Sequence, residues 1–318
     1  MLGDQFHVVR NTNSGKWLVT IAIGEEYLKS WELNFKFSWV EYANRYDLGI
    51  LVITKDLIDV NDKNWKKPTW QKLLIASKLK YFDEDVKILC YLDTDILINP
   101  FAPDVFDLHI KGKIGVVSLR KNLPFDYEQT LRRLALLRHK FIDRNYPLDS
   151  ALFIDLPGLY GFHNLPTQPD EFCAGFLLFE PKEFASQMEI WFNEYDKTID
   201  SITNGGDQTH MNFHIQSLGV ANFLPYEFQA IWAFEAANHY SHLFIDEFKD
   251  LDIFNKSVQS TLFRVNFLHF AGKWPESSTF SSFKFEFNSK FYELYKKFQE
   301  YSRLKLTGQP KGTINPNM

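Results

Sequence analysis

Lys87-Ile88-Leu89-Cys90-Tyr91-Leu92-Asp93-Thr94-Asp95-Ile96-Leu97-Ile98-Asn99-Pro100 is the stretch on which the reading of this chain turns. Residues 87–92 are apolar almost throughout, which predicts a strand buried on both faces at the centre of a sheet. Two carboxylates follow, two positions apart. Side chains alternate along an extended chain, so Asp93 and Asp95 are expected to point the same way, at the strand end where α/β sheets bind ligands. Two like charges at a buried edge are unfavourable without a cation. A hard divalent ion such as Mn²⁺ or Mg²⁺ takes oxygen ligands and bridges substrate phosphates. The competing reading is a solvated turn in which Asp95 caps the next segment.

Working outward, short apolar runs alternate with longer helical patterns, the signature of an α/β protein with a largely parallel sheet. Strands are expected at residues 17–23, 50–53, 87–92, 114–119, 176–179 and 265–270. Helices are expected at 27–46, 70–82, 125–144, 182–195 and 207–216, with a last amphipathic helix through Phe291, Leu294, Tyr295, Phe298 and Tyr301. Residues 147–169 are rich in Pro, Gly and Asn and read as a long irregular connection, a frequent place for binding loops. Residues 204–206 read as a turn, and the tail from Leu306 onward as frayed.

The 318 residues are 45% hydrophobic and 24% charged, which excludes a disordered tail or a collagen-like rod and allows one large domain. A net charge of −5 argues against a partner bound through phosphate neutralisation, so no nucleic acid is expected. Cys90 and Cys173 each lie in an apolar run and read as buried residues, not a disulfide. No apolar stretch is long enough to predict a membrane span, and no signal-peptide pattern opens the sequence, so a cytoplasmic location is expected. The long helix carries Arg132, Arg133, Arg138, His139, Lys140 and Arg144. That face suits peripheral contact with anionic lipid or a charged glycan, although a solvated face over Leu131, Leu134, Leu137 and Phe141 is the simpler reading. Aromatic residues make up 17% of the chain. Most read as core, with Tyr160, Phe162 and the 226–234 segment as places where sugar rings could stack.

The segment 91–100 resembles the metal-binding D-x-D signature of nucleotide-sugar-dependent glycosyltransferases of the GT-A fold, closest to families 8 and 34, the retaining galactosyl-, glucosyl- and xylosyltransferases. Trp70-Gln71-Lys72 is similar to the W-x-K element of family 34. Phe172-Cys173-Ala174-Gly175 resembles the F-N-x-G strand near the sugar, Asp207-Gln208 the acidic-Gln pair beside the reacting carbon, and His269-Phe270-Ala271-Gly272-Lys273 the closing H-F-x-G…K motif. The resemblance spans residues 17–275. It implies a Rossmann-like nucleotide-diphospho-sugar transferase domain over residues 1–275, with a C-terminal helical extension over 276–318.

It further implies Asp93, Asp95 and His269 as ligands of Mn²⁺ or Mg²⁺, and a UDP-sugar donor. A donor site would be lined by Lys72, Asp93, Gly175, Gly272 and Lys273, with Asp207 and Gln208 as the catalytic pair. Ala22, Ile23, Gly24 and Tyr27 are positional candidates for a nucleotide pocket, and the acceptor would be a glycan or other hydroxyl compound. The resemblance implies retention; because an amide is a poor nucleophile, Gln208 would favour front-face displacement, and Asp207 as donor ligand or transient nucleophile stays open. Cys173 stands where the family usually has Asn, which transfers sugar contacts to Asp170 or Glu171 as candidates. Two alternatives carry other chemistry: an inactive glycan-binding module, and a haloacid-dehalogenase-type phosphatase, which also uses D-x-D after a buried strand.

Overall fold

The computed structural model describes residues 3–79, 85–141, 153–195, 207–245, 250–272 and 289–306. Its strands are β1 (Phe6–Arg10), β2 (Lys16–Ile21), β3 (Gly49–Ile53), β4 (Ile88–Leu92), β5 (Ile96–Ile98), β6 (Ile114–Val117), β7 (Phe176–Phe179), β8 (Ala221–Leu224), β9 (Ala230–Ile231) and β10 (Phe267–His269). Seven form one sheet in the order β1-β3-β2-β4-β7-β6-β8, and three form a smaller one, β5-β10-β9. The expected α/β class is what the chain adopts. The sheet is mixed, however, not largely parallel: β2 runs parallel to β3 and β4, and β6 to β8, whereas β1, β4 and β6 each pair antiparallel with a neighbour. Apolar runs report burial on both faces and carry no information on strand direction, so the pattern alone could not separate the two.

Burial alternates along the central strands. Leu18, Ile50, Val52, Cys90, Leu92 and Leu178 pack on one face, while Val19, Leu51, Ile53, Leu89, Tyr91 and Leu177 pack on the other. Side-chain period two sends each strand's residues into two separate cores. Both cysteines are free and buried. Tyr226, Phe228, Trp232 and Phe234 are also buried, so this aromatic segment fills the core and offers no face to a sugar. Tyr160 is buried as well, whereas Phe162 is exposed.

The expected helix over 27–46 is two helices, Glu25–Asn34 and Lys36–Tyr46, separated at Phe35. No Gly or Pro marks the break. Phe35 leaves helical geometry (φ −125°, ψ −36°) and is buried, 5.9 Å from the ring of Phe270. Tertiary packing overrides local propensity there. The second helix anchors the chain beyond the two aspartates: Trp39 Nε1 donates to Ile96 O (2.7 Å), Ile98 N donates to Ser38 Oγ (3.1 Å), and Tyr42 OH donates to Pro103 O (2.8 Å). Residues 68–79 form two short helical pieces, Pro68–Gln71 and Ile75–Leu79, joined by a tighter 3₁₀ turn, Lys72–Leu74, and not one helix. A short helix, Leu156–Phe162, interrupts the expected irregular connection; Asp155 caps it by accepting from Gly158 N at 2.8 Å. The expected turn at 204–206, the end of the basic helix at Arg144, and Lys273 lie outside the described residues.

The helix Asp207–Ser217 is held against Pro181–Glu194 by two histidines. His214 stacks on Trp191 at 5.1 Å, and its Nε2 lies 3.0 Å from His210 Nε2, which is 3.3 Å from Trp191 O. Burial pushes both pKa values down to about 4, with the neighbouring imidazole adding to the shift at His210. Both are therefore neutral in the fold but protonate near 6.5 when unfolded. Their stabilisation is complete above pH 6.5 and is lost as pH falls toward 4. Together the pair should cost about 3 kcal/mol over that window, after discounting for solvent screening and their mutual coupling. Urea midpoints at pH 7.5 and pH 5 should differ accordingly, and His214→Gln should flatten the dependence. Equal midpoints at the two pH values would exclude this account.

Candidate metal centre and active site

Asp93 and Asp95 sit in the turn that carries the chain from β4, in the large sheet, to β5, in the small one. They converge, but through a turn between two sheets and not along one extended strand. Each sheet supplies part of what surrounds them. From the large sheet, Gly175 O accepts from Asp93 N (2.9 Å), continuing the β4–β7 register in which Leu92 faces Phe176. From the small sheet, β10 pairs with β5 so that His269 faces Ile96, and Asp95 O accepts from Phe270 N (3.0 Å). The site is therefore the seam of the two sheets.

His269 Nε2 lies 3.1 Å from Asp95 Oδ1 and 3.8 Å from Asp93 Oδ2. One ligand atom from each of the three residues lies within 4.8 Å of the others, the one such cluster among the described residues. Asp95 Oδ1 is buried with His269 Nε2 3.1 Å away, a contact satisfied only when a proton or a cation lies between them. Burial opposes charge on His269, yet Asp95, with Cys173, holds its pKa well above the ordinary histidine value. The cluster thus demands positive charge, and a proton supplies it where no metal does. Two carboxylates and an imidazole are a donor set that suits Mn²⁺.

Gly175 is there for space. A Cβ on it would lie 2.5 Å from His269 Cε1 and 2.6 Å from Asp93 Oδ2. Tyr91, two residues before Asp93 and on the same side of its strand, donates its hydroxyl to Asp93 Oδ1 at 2.7 Å.

Lys72 is buried and bridges two acids. Its Nζ is 3.0 Å from Asp207 Oδ2 and 3.8 Å from Asp93 Oδ1, and donates to Ala174 O at 3.1 Å. Burial opposes its charge, but Asp207 and Asp93 raise its pKa above the lysine value. For Asp93, burial acts upward and Lys72 with His269 acts downward, leaving the carboxyl below its ordinary range. Burial pushes Asp207 upward against the pull of Lys72. Three carboxylates and one ammonium leave two negative charges beside a neutral imidazole, which is the charge a divalent cation balances.

Gln208 follows Asp207 in the first turn of its helix. Its Nε2 donates to Glu171 Oε1 at 2.6 Å, and its Oε1 is 3.4 Å from Ala174 N. Glu171 is fully buried and paired with Arg120, whose Nε donates to Oε2 at 2.8 Å. Asp170 accepts from Ser118 Oγ (3.0 Å) and from Glu171 N (2.8 Å). Both acids named as substitutes for the missing Asn are thus engaged with the protein. Cys173 lies behind His269, its sulfur 3.6 Å from Nδ1.

The structure brings Lys72, Asp93, Asp95, Gly175, Asp207 and His269 together, with Gln208 beside them. Gly272 follows at φ +97°, a backbone conformation that favours glycine. Ala22, Ile23 and Gly24 lie beyond the end of β2, which runs parallel to β4 and therefore ends at the same edge. Ala22 is buried and donates its N–H to Ile53 O (2.8 Å), Gly24 has φ +103°, and Tyr27 is exposed on the helix that follows. Sequence reasoning named Glu171, as a sugar contact and not as the holder of Gln208, and missed the other supports: Gln229 behind His269, Arg120 behind Glu171, and the Tyr91 hydroxyl. Of these, only Tyr91 had a local signal, its period-two spacing from Asp93.

No protein-family model matches the chain, and no curated protein matches it. Among solved structures, the chain is similar to a glycosyltransferase involved in the glycosylation of the major capsid of PBCV-1, at 9% identity over 88% of this chain and 98% of that one, with a TM-score of 0.46. It is also similar to the galactosyltransferase LgtC in complex with donor and acceptor sugar analogs, at 15% identity over 93% of this chain and 98% of that one, with a TM-score of 0.46.

Proposed function

We propose that this chain is a metal-dependent glycosyltransferase of the GT-A type. It moves a hexosyl or pentosyl group from a nucleotide diphosphate sugar, UDP-linked, to a hydroxyl of a glycan acceptor. The observation that carries this reading is the Asp93–Asp95–His269 cluster at the seam of the two sheets, with Gly175 leaving room beside it. These three residues would hold Mn²⁺ (or Mg²⁺), which when bound supplies positive charge for a diphosphate leaving group.

The chain's own residues do the rest. Gly272 lets the backbone approach the phosphates, and Lys273 is the candidate point charge beside them. Lys72 keeps Asp93 and Asp207 ionised and aligned. Gln208, held by Glu171, which Arg120 fixes in turn, presents an amide that is too poor a nucleophile to attack the sugar carbon. With no protein nucleophile at that position, displacement on the front face has the acceptor proton passing to the departing phosphate oxygen; retention rests on the resemblance to the retaining families. No helix among the described residues is long and apolar enough to cross a membrane.

A thermal-shift screen of UDP, GDP and their sugars with Mn²⁺ should raise the melting temperature with a uridine donor, since ligand bound only by the folded state stabilises it. Donor hydrolysis should then fall at least about 100-fold in Asp95→Ala. No shift with any nucleotide, with Mn²⁺ present, would reject the donor assignment. The anomeric configuration of the product, read by NMR, decides retention.

A further inference from the structure

Gln229 occupies the junction between the 3₁₀ turn Tyr226–Phe228 and β9, and is almost fully buried. Strand β9 runs parallel to β10 with Ile231 opposite His269, which brings the amide behind the imidazole. Two backbone groups fix which way that amide faces. In the orientation that satisfies all its neighbours, Nε2 donates to Cys173 O (3.3 Å), and Oε1 accepts from Phe176 N (3.2 Å) and from His269 Nδ1 (3.2 Å). Reversed, the amide would set its carbonyl against the Cys173 carbonyl and its N–H against the Phe176 N–H. Neither backbone group can change its protonation, so the strand dictates that an acceptor faces the histidine.

We infer that Gln229 is a positioning residue that locks His269 in the Nδ1–H tautomer and thereby presents bare Nε2 to the metal beside Asp93 and Asp95. The inference rests on the metal-site reading above and deepens it. The Cys173 sulfur, 3.6 Å from Nδ1, can donate or accept weakly and is compatible with this tautomer. With the proton on Nδ1, Nε2 turns a lone pair toward Asp95 Oδ1 at 3.1 Å and Asp93 Oδ2 at 3.8 Å. Three acceptors then converge, an arrangement that only a cation satisfies. Outer partners of this kind orient a ligating imidazole and raise its basicity. Gln229 also ties the strand segment that carries Gly175 to the strand that carries His269, so one side chain sets both walls of the site.

The test is Mn²⁺ binding by titration calorimetry, with melting temperatures of each protein recorded in EDTA. Gln229→Leu should bind Mn²⁺ about 10- to 100-fold more weakly than wild type, whereas Gln229→Glu, which keeps an acceptor opposite Nδ1 but sets its second oxygen against Cys173 O, should bind more tightly than the Leu variant. A Leu variant that melts like wild type and binds Mn²⁺ as tightly overturns this inference alone. A wild-type chain that binds no Mn²⁺ overturns the metal site and the inference together. A two-bond ¹H–¹⁵N spectrum of histidine-labelled wild type, saturated with diamagnetic Mg²⁺, decides the matter even if the Leu variant fails to fold. His269 with its proton on Nδ1 supports the inference, and a proton on Nε2 overturns it.

Discussion

Gly175→Ala should lower Mn²⁺ affinity by at least about 100-fold, at a cost to the fold of only about 1–3 kcal/mol. The added methyl would meet His269 Cε1 at 2.5 Å, Asp93 Oδ2 at 2.6 Å and Asp93 Cγ at 3.1 Å. Such contacts force something to move, and what moves must be a metal ligand. His269 cannot turn away without losing Gln229 on one side and Asp95 on the other. Asp93 is tied through its backbone to Gly175 O, and through its carboxylate to Tyr91 and Lys72. The methyl therefore spreads the ligand set while much of the sheet stays intact. Gly161→Ala is the matched control, because nothing lies within 4 Å of its would-be Cβ and the residue sits inside a short helix. It should leave both metal binding and melting temperature essentially unchanged. Calorimetric titration with Mn²⁺ measures the first effect and urea denaturation the second. Wild-type affinity in Gly175→Ala would mean that the cleft beside the carboxylates is not where a cation binds.

The residues of this cluster were legible for a specific reason. Asp93 and Asp95 follow a run of five apolar residues, and His269 ends its strand after Phe267 and Leu268, so each is a polar residue at a strand end. Strands β4 and β7 were equally legible, because a strand covered on both faces must be apolar throughout. The shortest pairings were not. Strands β5 and β9 are three and two residues long and make sense only as partners of β10, whose pairing the chain achieves across long sequence separations. The same limit applies to the supports. Gln229 is 40 residues from His269, and Arg120 is 51 from Glu171. No periodicity links such pairs; only the fold brings them together. The break at Phe35 is of this kind too, since its cause is a ring more than two hundred positions away. A sequence thus declares the residues that change polarity where a strand ends, and conceals those whose role is to hold another side chain still.

Lys72 is where the charge balance of the site can be tested by removal. Replacing it by Met keeps most of its volume but strips the positive charge from between Asp207 and Asp93, 3.0 and 3.8 Å away. Breaking a buried pair by removing one partner leaves an uncompensated charge, and Lys72→Met should therefore destabilise the protein by about 3–5 kcal/mol near neutral pH. The sign of the pH dependence follows from Asp207. Burial already pushes its carboxyl upward, with Lys72 pulling against that. Without the ammonium its folded pKa rises further above the unfolded value. The folded variant then binds a proton that the unfolded chain does not, so its stability deficit should shrink as pH falls below that raised pKa. Asp207→Asn in the same background removes the orphaned charge and should recover much of the loss. A double-mutant cycle over wild type, Lys72→Met, Asp207→Asn and the double variant, read by urea denaturation at pH 8 and pH 5.5, isolates the pairing from the changes in packing. Additive effects at both pH values would show that Lys72 does not balance Asp207. A coupling that is large at pH 8 and smaller at pH 5.5 would establish that it does.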